Sequence, residues 1–458
     1  MKLFSLRLTT LKSKLYAIVF ASFVVRFIGF FLLPSQPRVA LAPDEGGYAE
    51  IARLVASEQP TTSYGGLYFI SRTLVLPAVA INNFGIDPLS SVRIIASIYG
   101  ALTLILVAFL IIQFVDKHST YSELTSKRSN LITGLFIVFA FLPSHVLWSM
   151  LGLRESPMEF WVLCSLSAIS LAVNLQEKVT VPIALLLTIS IILLFNTRPQ
   201  VALLLSLTIL ISLIFCKKRR VAFALALLTL IASGVGYASV VLQKHDMFQI
   251  VATDASATDA SACQKANQKL MLQGKEYKCI KVGAGRVLSD LENPLKILIN
   301  DANAIPDRHK GNQVAAASAI QTLSCPVTEE SETDKYFCLA WRAPYMAATF
   351  LFRPLIGIDT TSTSSLIAAL ENIAWLGAAI FIVILLIRKR RLAFIGPLAP
   401  SLIFFMLYCV GAGSYEGNMG TAFRHKSLIL WVILLLVASV TVAEKRPNSR
   451  NESAQKGV

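Results

Sequence analysis

Long apolar stretches alternate with short polar or basic stretches along most of this chain. About ten of the apolar stretches reach the roughly 17 to 25 residues that a helix needs to cross a hydrocarbon core. They lie at 14–33, 93–114, 131–149, 156–174, 180–196, 200–216, 221–243, 365–387, 392–412 and 427–443. The pattern therefore predicts an all-α polytopic membrane protein with about ten transmembrane helices.

Two longer segments interrupt this alternation. The segment 34–92 contains a helical pattern at 46–57 and an interrupted apolar stretch at 67–84, which suits a helix on the membrane surface better than a span. The polar segment 244–345 leads through Trp341 and Tyr345 into a predicted interfacial helix. We expect an N-terminal transmembrane module at 1–243, with its first outer loop at 34–92, an outer-loop region at 244–345, a C-terminal transmembrane module at 346–443 and a tail at 444–458.

Composition and charge agree with a multi-pass protein of the cell membrane. The chain is 55% hydrophobic and 15% charged, with a mean hydropathy of +0.63, outside the range of ordinary soluble domains. Its net charge of +15 comes from basic clusters that precede the first span and follow the second, sixth, eighth and last. If both termini are cytoplasmic, every cluster lies on the inner side, as the positive-inside rule requires. The charge therefore reports topology and gives no reason to expect a nucleic-acid partner.

The N-terminal apolar run is expected to remain as an anchor. It ends in Phe30-Phe31-Leu32-Leu33-Pro34 without the small residues of a cleavage site.

Four cysteines, Cys263, Cys279, Cys325 and Cys338, fall in the segment that this topology places outside. Disulfides persist in that compartment. Spacing alone cannot choose the pairing. The local pairs, Cys263 with Cys279 and Cys325 with Cys338, are our hypothesis, and unpaired thiols are the alternative. The hypothesis predicts a small disulfide-clamped lid.

Adjacent carboxylates, Asp44 and Glu45, stand behind Pro43 where the first span ends. One of them could act as a general base toward a substrate hydroxyl. The same residues are also ordinary for the first turn of a helix, since proline presets the backbone and acids complement the helix dipole. The pair alone does not decide between these interpretations.

Several later outer turns return charged groups to the same side of the membrane. Arg154 and Glu155 occupy a tight hairpin, and Arg198 occupies another. Outer arginines run against the positive-inside bias and call for a structural partner or an anionic ligand. Arg424 and His425 follow a glycine-rich loop as an anion clamp or as snorkelling side chains.

Glu371 lies inside the eighth span, where a carboxylate is costly unless it is paired or faces water. Arg26, in the outer half of the first span, is a candidate partner.

In order along the chain, these motifs resemble the GT-C superfamily of multi-span glycosyltransferases, which includes protein O-mannosyltransferases and lipid A aminoarabinose transferases. The resemblance rests on Pro43-Asp44-Glu45 with Tyr48, the following surface helix, the outer turns Arg154-Glu155 and Arg198-Pro199, and the terminal run Gly-Asn-x-Gly-Thr-Ala-Phe-Arg-His. The soluble part is an internal loop, and no large outer domain follows the last span, which argues against an oligosaccharyltransferase or arabinofuranosyltransferase type.

The resemblance implies a sugar donor linked to polyprenyl phosphate, delivered from the bilayer, and a glycan, lipid or protein acceptor of the cell envelope. Asp44 would accept the hydroxyl proton in an inverting displacement on the extracytoplasmic face, and Glu45 would position Asp44 or a cation. The donor phosphate would bind Arg424 first, with His425, Arg198 and Arg154 behind it, and Glu155, Tyr48 and Glu371 would support the site. A divalent cation stays open, because these ligands are fewer than a closed site needs.

Two other functions remain compatible with the sequence. A lipid or glycolipid transporter also needs intramembrane charges and is often built from inverted repeats, but no internal repeat is visible. A polymerase or ligase of lipid-linked polysaccharide also uses outer arginines. An Asp-x-Asp nucleotide-sugar motif and a dinucleotide fingerprint are both absent.

Overall fold

The computed structural model describes residues 10–33, 43–57, 71–118, 126–172, 179–214, 218–244, 248–252, 269–272, 275–281, 332–359, 363–389, 398–416 and 419–442. Within these residues the chain is overwhelmingly helical, as the hydrophobic pattern predicts.

The N-terminal helices are α1 (Leu11–Leu32), α2 (Pro43–Ala56), α3 (Arg72–Asn82), α4 (Pro88–His118), α5 (Ser126–Phe141), α6 (Pro143–Met150), α7 (Glu155–Ser170), α8 (Val181–Phe195), α9 (Pro199–Ile214) and α10 (Arg219–Lys244). Strands β1 (Phe248–Ala252), β2 (Lys269–Leu272) and β3 (Lys275–Lys281) follow. The chain then continues with α11 (Glu332–Phe352), α12 (Thr363–Lys389), α13 (Ala399–Tyr415) and α14 (Met419–Val442).

Four helices of the described residues are long and apolar enough to cross a membrane: α1, α4, α10 and α14. Helices α5 and α6 would make a fifth span if they are counted together. Shorter apolar helices α3, α8, α9, α12 and α13 also occur. Each of the predicted apolar stretches falls on a helix, but length and composition alone support fewer full spans than the sequence predicts.

The predicted span 131–149 is not one straight helix. It breaks at Leu142, and α5 and α6 meet at an angle of 43°. Pro143 occupies the first turn of α6, where its missing N–H is no loss, but it cannot continue the hydrogen-bond ladder of the preceding helix. The bend therefore has a covalent cause in the sequence.

The main core surrounds α14. This helix packs against α4, α5, α7, α12 and α13. Of the residues in its most apolar part, 83% are buried inside the protein, compared with 22% for α1. A helix covered on nearly all sides lies in the interior of a bundle, whereas much of the apolar surface of α1 is not covered by other parts of the protein.

A second, smaller core of buried residues lies apart from this one. It joins α2 and α3 to the start of α4 and to the turn between α6 and α7. The turn approaches α4 closely at Gly152, where a Cβ atom would lie 2.4 Å from a methyl group of Val92. Both α2 and α3 fall within the outer segment for which the sequence predicts a surface helix.

The segment 244–345, which the sequence predicts to lie outside, includes a three-stranded antiparallel sheet with the order β1-β3-β2. Cys279 lies in β3 and Cys338 in α11, whereas Cys263 and Cys325 fall outside the described residues. Each hypothesised disulfide includes one of the latter two, so the clamped lid stays a prediction. Cys164 and Cys409 are free and buried.

Candidate active site

The start of α2 separates the two adjacent carboxylates because successive residues of a helix point about 100° apart. Glu45 is fully buried, whereas the side chain of Asp44 is 39% exposed. Asp44 accepts a hydrogen bond from Arg424 Nη2 at 3.0 Å. The exposed carboxylate is therefore the one that a substrate could reach.

Glu45 is fixed by the structure rather than open to a ligand. Arg93 donates to it from Nε at 2.5 Å and from Nη2 at 3.1 Å, and the Gly152 N–H donates to it at 3.1 Å. The bidentate ion pair joins α2 to α4, and the bond from Gly152 joins α2 to the turn before α7. Glu45 thus anchors the helix start that carries Asp44.

Arg424 stands between two carboxylates. Besides Asp44 it faces Glu155, with Arg424 Nε 3.0 Å from Glu155 Oε1. The N–H does not point at that oxygen, so this second contact is an ion pair without a hydrogen bond. Arg424 links the start of α2 with the start of α7 through α14.

His425 continues the cluster on the other side of Glu155. Its Nδ1 lies 2.6 Å from Glu416 Oε1, and its Nε2 lies 2.7 Å from Arg198 Nη1 and 3.4 Å from Glu155 Oε1. A neutral imidazole with its proton on Nδ1 satisfies the two shorter contacts, because it donates to Glu416 and accepts from Arg198. We assign this tautomer from the contacts.

The neighbouring residues Arg154 and Glu155 have buried donors and acceptors that make no hydrogen bond. Arg154 Nε and Nη1 are buried donors that no described group accepts, and both carboxylate oxygens of Glu155 are buried acceptors without a hydrogen bond. The Glu155 side chain is only 3% exposed. Buried polar groups without partners are rare in folded proteins and often mark the place of a ligand or bound water.

Two groups outside the spanning helices have shifted pKa values. Burial raises the pKa of Tyr48 to about 12, so its phenol stays protonated beside Asp44 and Glu155. Burial alone would raise the pKa of Glu416, but the hydrogen bond from His425 and the charge of Arg198 outweigh it and lower the pKa below its usual value. Glu416 therefore stays a carboxylate at neutral pH.

The structure does not bring Glu371 to this cluster, and the suggested pair of Arg26 with Glu371 is wrong. Glu371 accepts from the Ser144 N–H at 3.0 Å and from the Ser144 hydroxyl. Arg26 instead donates to Ser149 Oγ at 2.8 Å and to His145 Nδ1 at 2.7 Å. Both charged groups hold α6, but at different places on it.

Arg26 belongs to a second buried cluster deeper in the bundle. His145 lies between Arg26 and Glu159, with 3.6 Å between His145 Nε2 and Glu159 Oε1. Glu159 lies one helical turn after Glu155, so α7 carries one carboxylate of each cluster. Neither His145 nor Glu159 was among the site residues predicted from the sequence.

Sequence reasoning brought forward Asp44, Arg154, Glu155, Arg198, Arg424 and His425, and the structure places these side chains around one centre. Two residues of the site, Arg93 and Glu416, were not predicted from the sequence. The signal for Arg93 was a charge at the first position of a predicted span. The signal for Glu416 was a carboxylate in the same glycine-rich loop as the noted arginine.

Among the described residues, no group of three or more His, Cys, Asp or Glu side chains could hold a metal ion. No protein-family model matches the chain, and neither the curated proteins nor the solved structures give a significant match. The functional argument therefore rests on the site itself.

Proposed function

We propose that the chain is a membrane glycosyltransferase that moves a sugar from a polyprenyl-phosphate donor to an acceptor hydroxyl on the extracytoplasmic face. The observation that supports this most is the unsatisfied pair at Arg154 and Glu155. A phosphate offers oxygens that accept from Arg154, and a sugar offers hydroxyls that donate to Glu155. One sugar phosphate would satisfy both.

Asp44 is the general base in this proposal, because it is the partly exposed carboxylate of the cluster. The acceptor oxygen forms a bond to the anomeric carbon as the bond from that carbon to the phosphate oxygen breaks. The electron pair leaves with the phosphate, whose charge rises from one to two negative units, and the hydroxyl proton moves to Asp44. The displacement inverts the anomeric centre.

The arginines take different parts. The sequence favours Arg424 as the main phosphate ligand, but Arg424 already faces Asp44 and Glu155, and Arg198 is bonded to His425. Arg154 has free donors, so we assign it the donor phosphate. Arg424 takes a second role during the reaction. When Asp44 becomes protonated, Arg424 no longer faces a negative charge there and can stabilise the more negative leaving phosphate.

The finer membrane topology belongs to the same proposal. The shorter apolar helices α8, α9, α12 and α13 complete about ten spans together with α7, the bent pair of α5 and α6, and the four long helices. Both termini are then cytoplasmic, and the starts of α2, α7 and α14 meet on the outer side.

The test is transfer of radiolabel from polyprenyl-phosphate sugars to membrane acceptors in a deletion strain. Complementation by the wild-type chain should restore transfer. Asp44→Asn keeps the shape but cannot accept a proton, so we expect a rate about 100- to 10,000-fold lower. Glu50→Gln is the matched control, because Glu50 is an exposed carboxylate on the same helix paired only with Arg53 among the described side chains. Near-normal transfer by Asp44→Asn would reject Asp44 as the base.

The cluster of Arg26, His145 and Glu159 beside a broken helix favours a transporter as the second candidate, since transporters place charge near the bilayer midplane at discontinuous helices. The two functions differ in their products. A transporter moves the labelled donor lipid across the membrane unchanged, whereas a transferase leaves label covalently attached to an acceptor. A polymerase or ligase would attach long glycan chains instead of single sugars.

A further inference from the structure

We infer that the loop between α11 and α12, residues 353–359, inserts its apolar tip into the outer leaflet of the membrane. Three aliphatic side chains, Leu355, Ile356 and Ile358, are exposed at this tip, and Ile358 is 73% exposed. Removing exposed apolar surface from water is favourable roughly in proportion to its area. This inference rests on the membrane topology proposed above but not on the proposed chemistry.

The loop is held in one shape by its own polar groups. Arg353 donates to both oxygens of Asp359, at 2.9 Å from Nε and 2.5 Å from Nη2, and the Leu355 N–H donates to Asp359 at 2.9 Å. Gly357 supplies the turn with a φ of 78°, a conformation that favours glycine. The aliphatic tip is therefore presented by a closed, internally bonded loop.

The loop is also fastened to the helices beside it. Lys426 of α14 donates to the carbonyl of Arg353 and, at 3.1 Å, to Asn372 Oδ1. Asn372 of α12 in turn donates to the carbonyl of Pro354 at 3.0 Å. These bonds satisfy the loop's inner carbonyls and leave its apolar side facing outward.

The helices on either side of the loop indicate that its apolar tip contacts lipid. The tip continues into α12, whose exposed side chains Leu366, Ile367, Leu370 and Ile373 are those of a membrane-facing helix surface. On the other side, α11 exposes Trp341, by 80%, and Tyr345, by 49%. Tryptophan and tyrosine favour the interface between hydrocarbon and headgroups, so the loop lies between a lipid-facing helix and an interfacial one.

Photo-crosslinking in nanodiscs of phosphatidylethanolamine and phosphatidylglycerol tests this inference. A photoreactive phenylalanine analogue would replace Ile358 in the full-length chain, and lipid adducts would be measured by mass spectrometry. Phe20, 70% exposed on α1, is the lipid-facing control, and exposed Arg53 on α2 is the water-facing control. We expect lipid adducts at Ile358 comparable to those at Phe20 and several-fold above those at Arg53.

Two results would overturn the inference. One is an adduct yield at Ile358 no higher than at Arg53. The other is crosslinking of Ile358 to the protein's own segment 282–331, which would show that this segment covers the tip. If the Ile358 variant fails to fold, the same substitution at Ile356 gives the measurement, with the same two contradicting results.

Discussion

Arg154 and Arg424 carry the same charge at one site but differ in what already surrounds them. Arg154 has buried donors without acceptors, whereas Arg424 lies 3.0 Å from each of two carboxylates. A ligand anion adds bonds to Arg154 without breaking any. At Arg424 it must compete with Asp44 and Glu155.

Substitution of Arg154 by glutamine should therefore weaken binding of a polyprenyl phosphate more than any other change at the site. Loss of a charge-assisted hydrogen bond of about 1.5 to 3 kcal/mol corresponds to roughly 10- to 150-fold in affinity. Equilibrium binding in nanodiscs would measure it, with neutral polyprenol and inorganic phosphate as comparison ligands. Arg53→Gln, an exposed arginine of α2, is the control. Equal affinities of the wild-type chain and Arg154→Gln would contradict the assignment.

Asp359 gives a pH-dependent prediction. Hydrogen bonds from Arg353 lower the pKa of Asp359 below its usual value of 3.8. A lowered carboxyl pKa in the folded state contributes stability above the unfolded pKa, and that stability is lost as the pH falls through the folded pKa. Asp359→Asn should reduce the free energy of unfolding by about 1 to 3 kcal/mol at pH 7. Thermal unfolding at several pH values should show this difference shrinking below pH 3.8; a constant difference would contradict the prediction.

Helix α6 is held in place by side chains from elsewhere in the chain. It spans only Pro143–Met150, too short to be stable alone. Glu371 caps its first turn at Ser144, and Arg26 binds His145 and Ser149 one turn apart. The end of α6 then leads into the turn that carries Gly152, Arg154 and Glu155. The position of α6 therefore sets part of the site.

Removal of Arg26 should destabilise the bundle because it leaves the buried side chains of Ser149 and His145 without the donor that they share. Arg26→Met removes hydrogen bonds from a charged group, so we expect it to lower the free energy of unfolding by about 1.5 to 3 kcal/mol. Thermal unfolding of the purified protein would compare this variant with Arg219→Met, which removes an exposed arginine. Equal stability of the two variants would contradict the prediction.

At the scale of the whole molecule, the basic clusters and the site require the two long polar segments to share one side of the membrane. Single cysteines at Ser261 and Arg219 should then react with impermeant reagents from opposite sides. Labelling of both from the same side would contradict the topology and, with it, the placement of the site on the outer face.

The sequence predicts the helices well because apolar stretches of membrane length have few alternatives to helix. The pattern of 131–149 predicts one continuous span, and it misses the bend at Leu142 although Pro143 cannot continue the hydrogen-bond ladder of a helix. The charged outer turns indicate which side chains matter. They cannot show which of them meet: Asp44 and Arg424 are 380 residues apart. Arg93 and Glu416 were missed for this reason, and the roles of the predicted residues remain predictions.

The cap on α6 has a consequence for biogenesis. Helices are inserted into the membrane in the order of their synthesis, but the carboxylate that receives the first N–H of α6 comes from Glu371, 227 residues after Ser144. Until α12 has been made, that helix start has no partner in its final position. The N-terminal module must therefore wait in an unfinished arrangement while the outer segment is translocated. A fragment that ends at residue 243 should insert into the membrane without reaching its native packing.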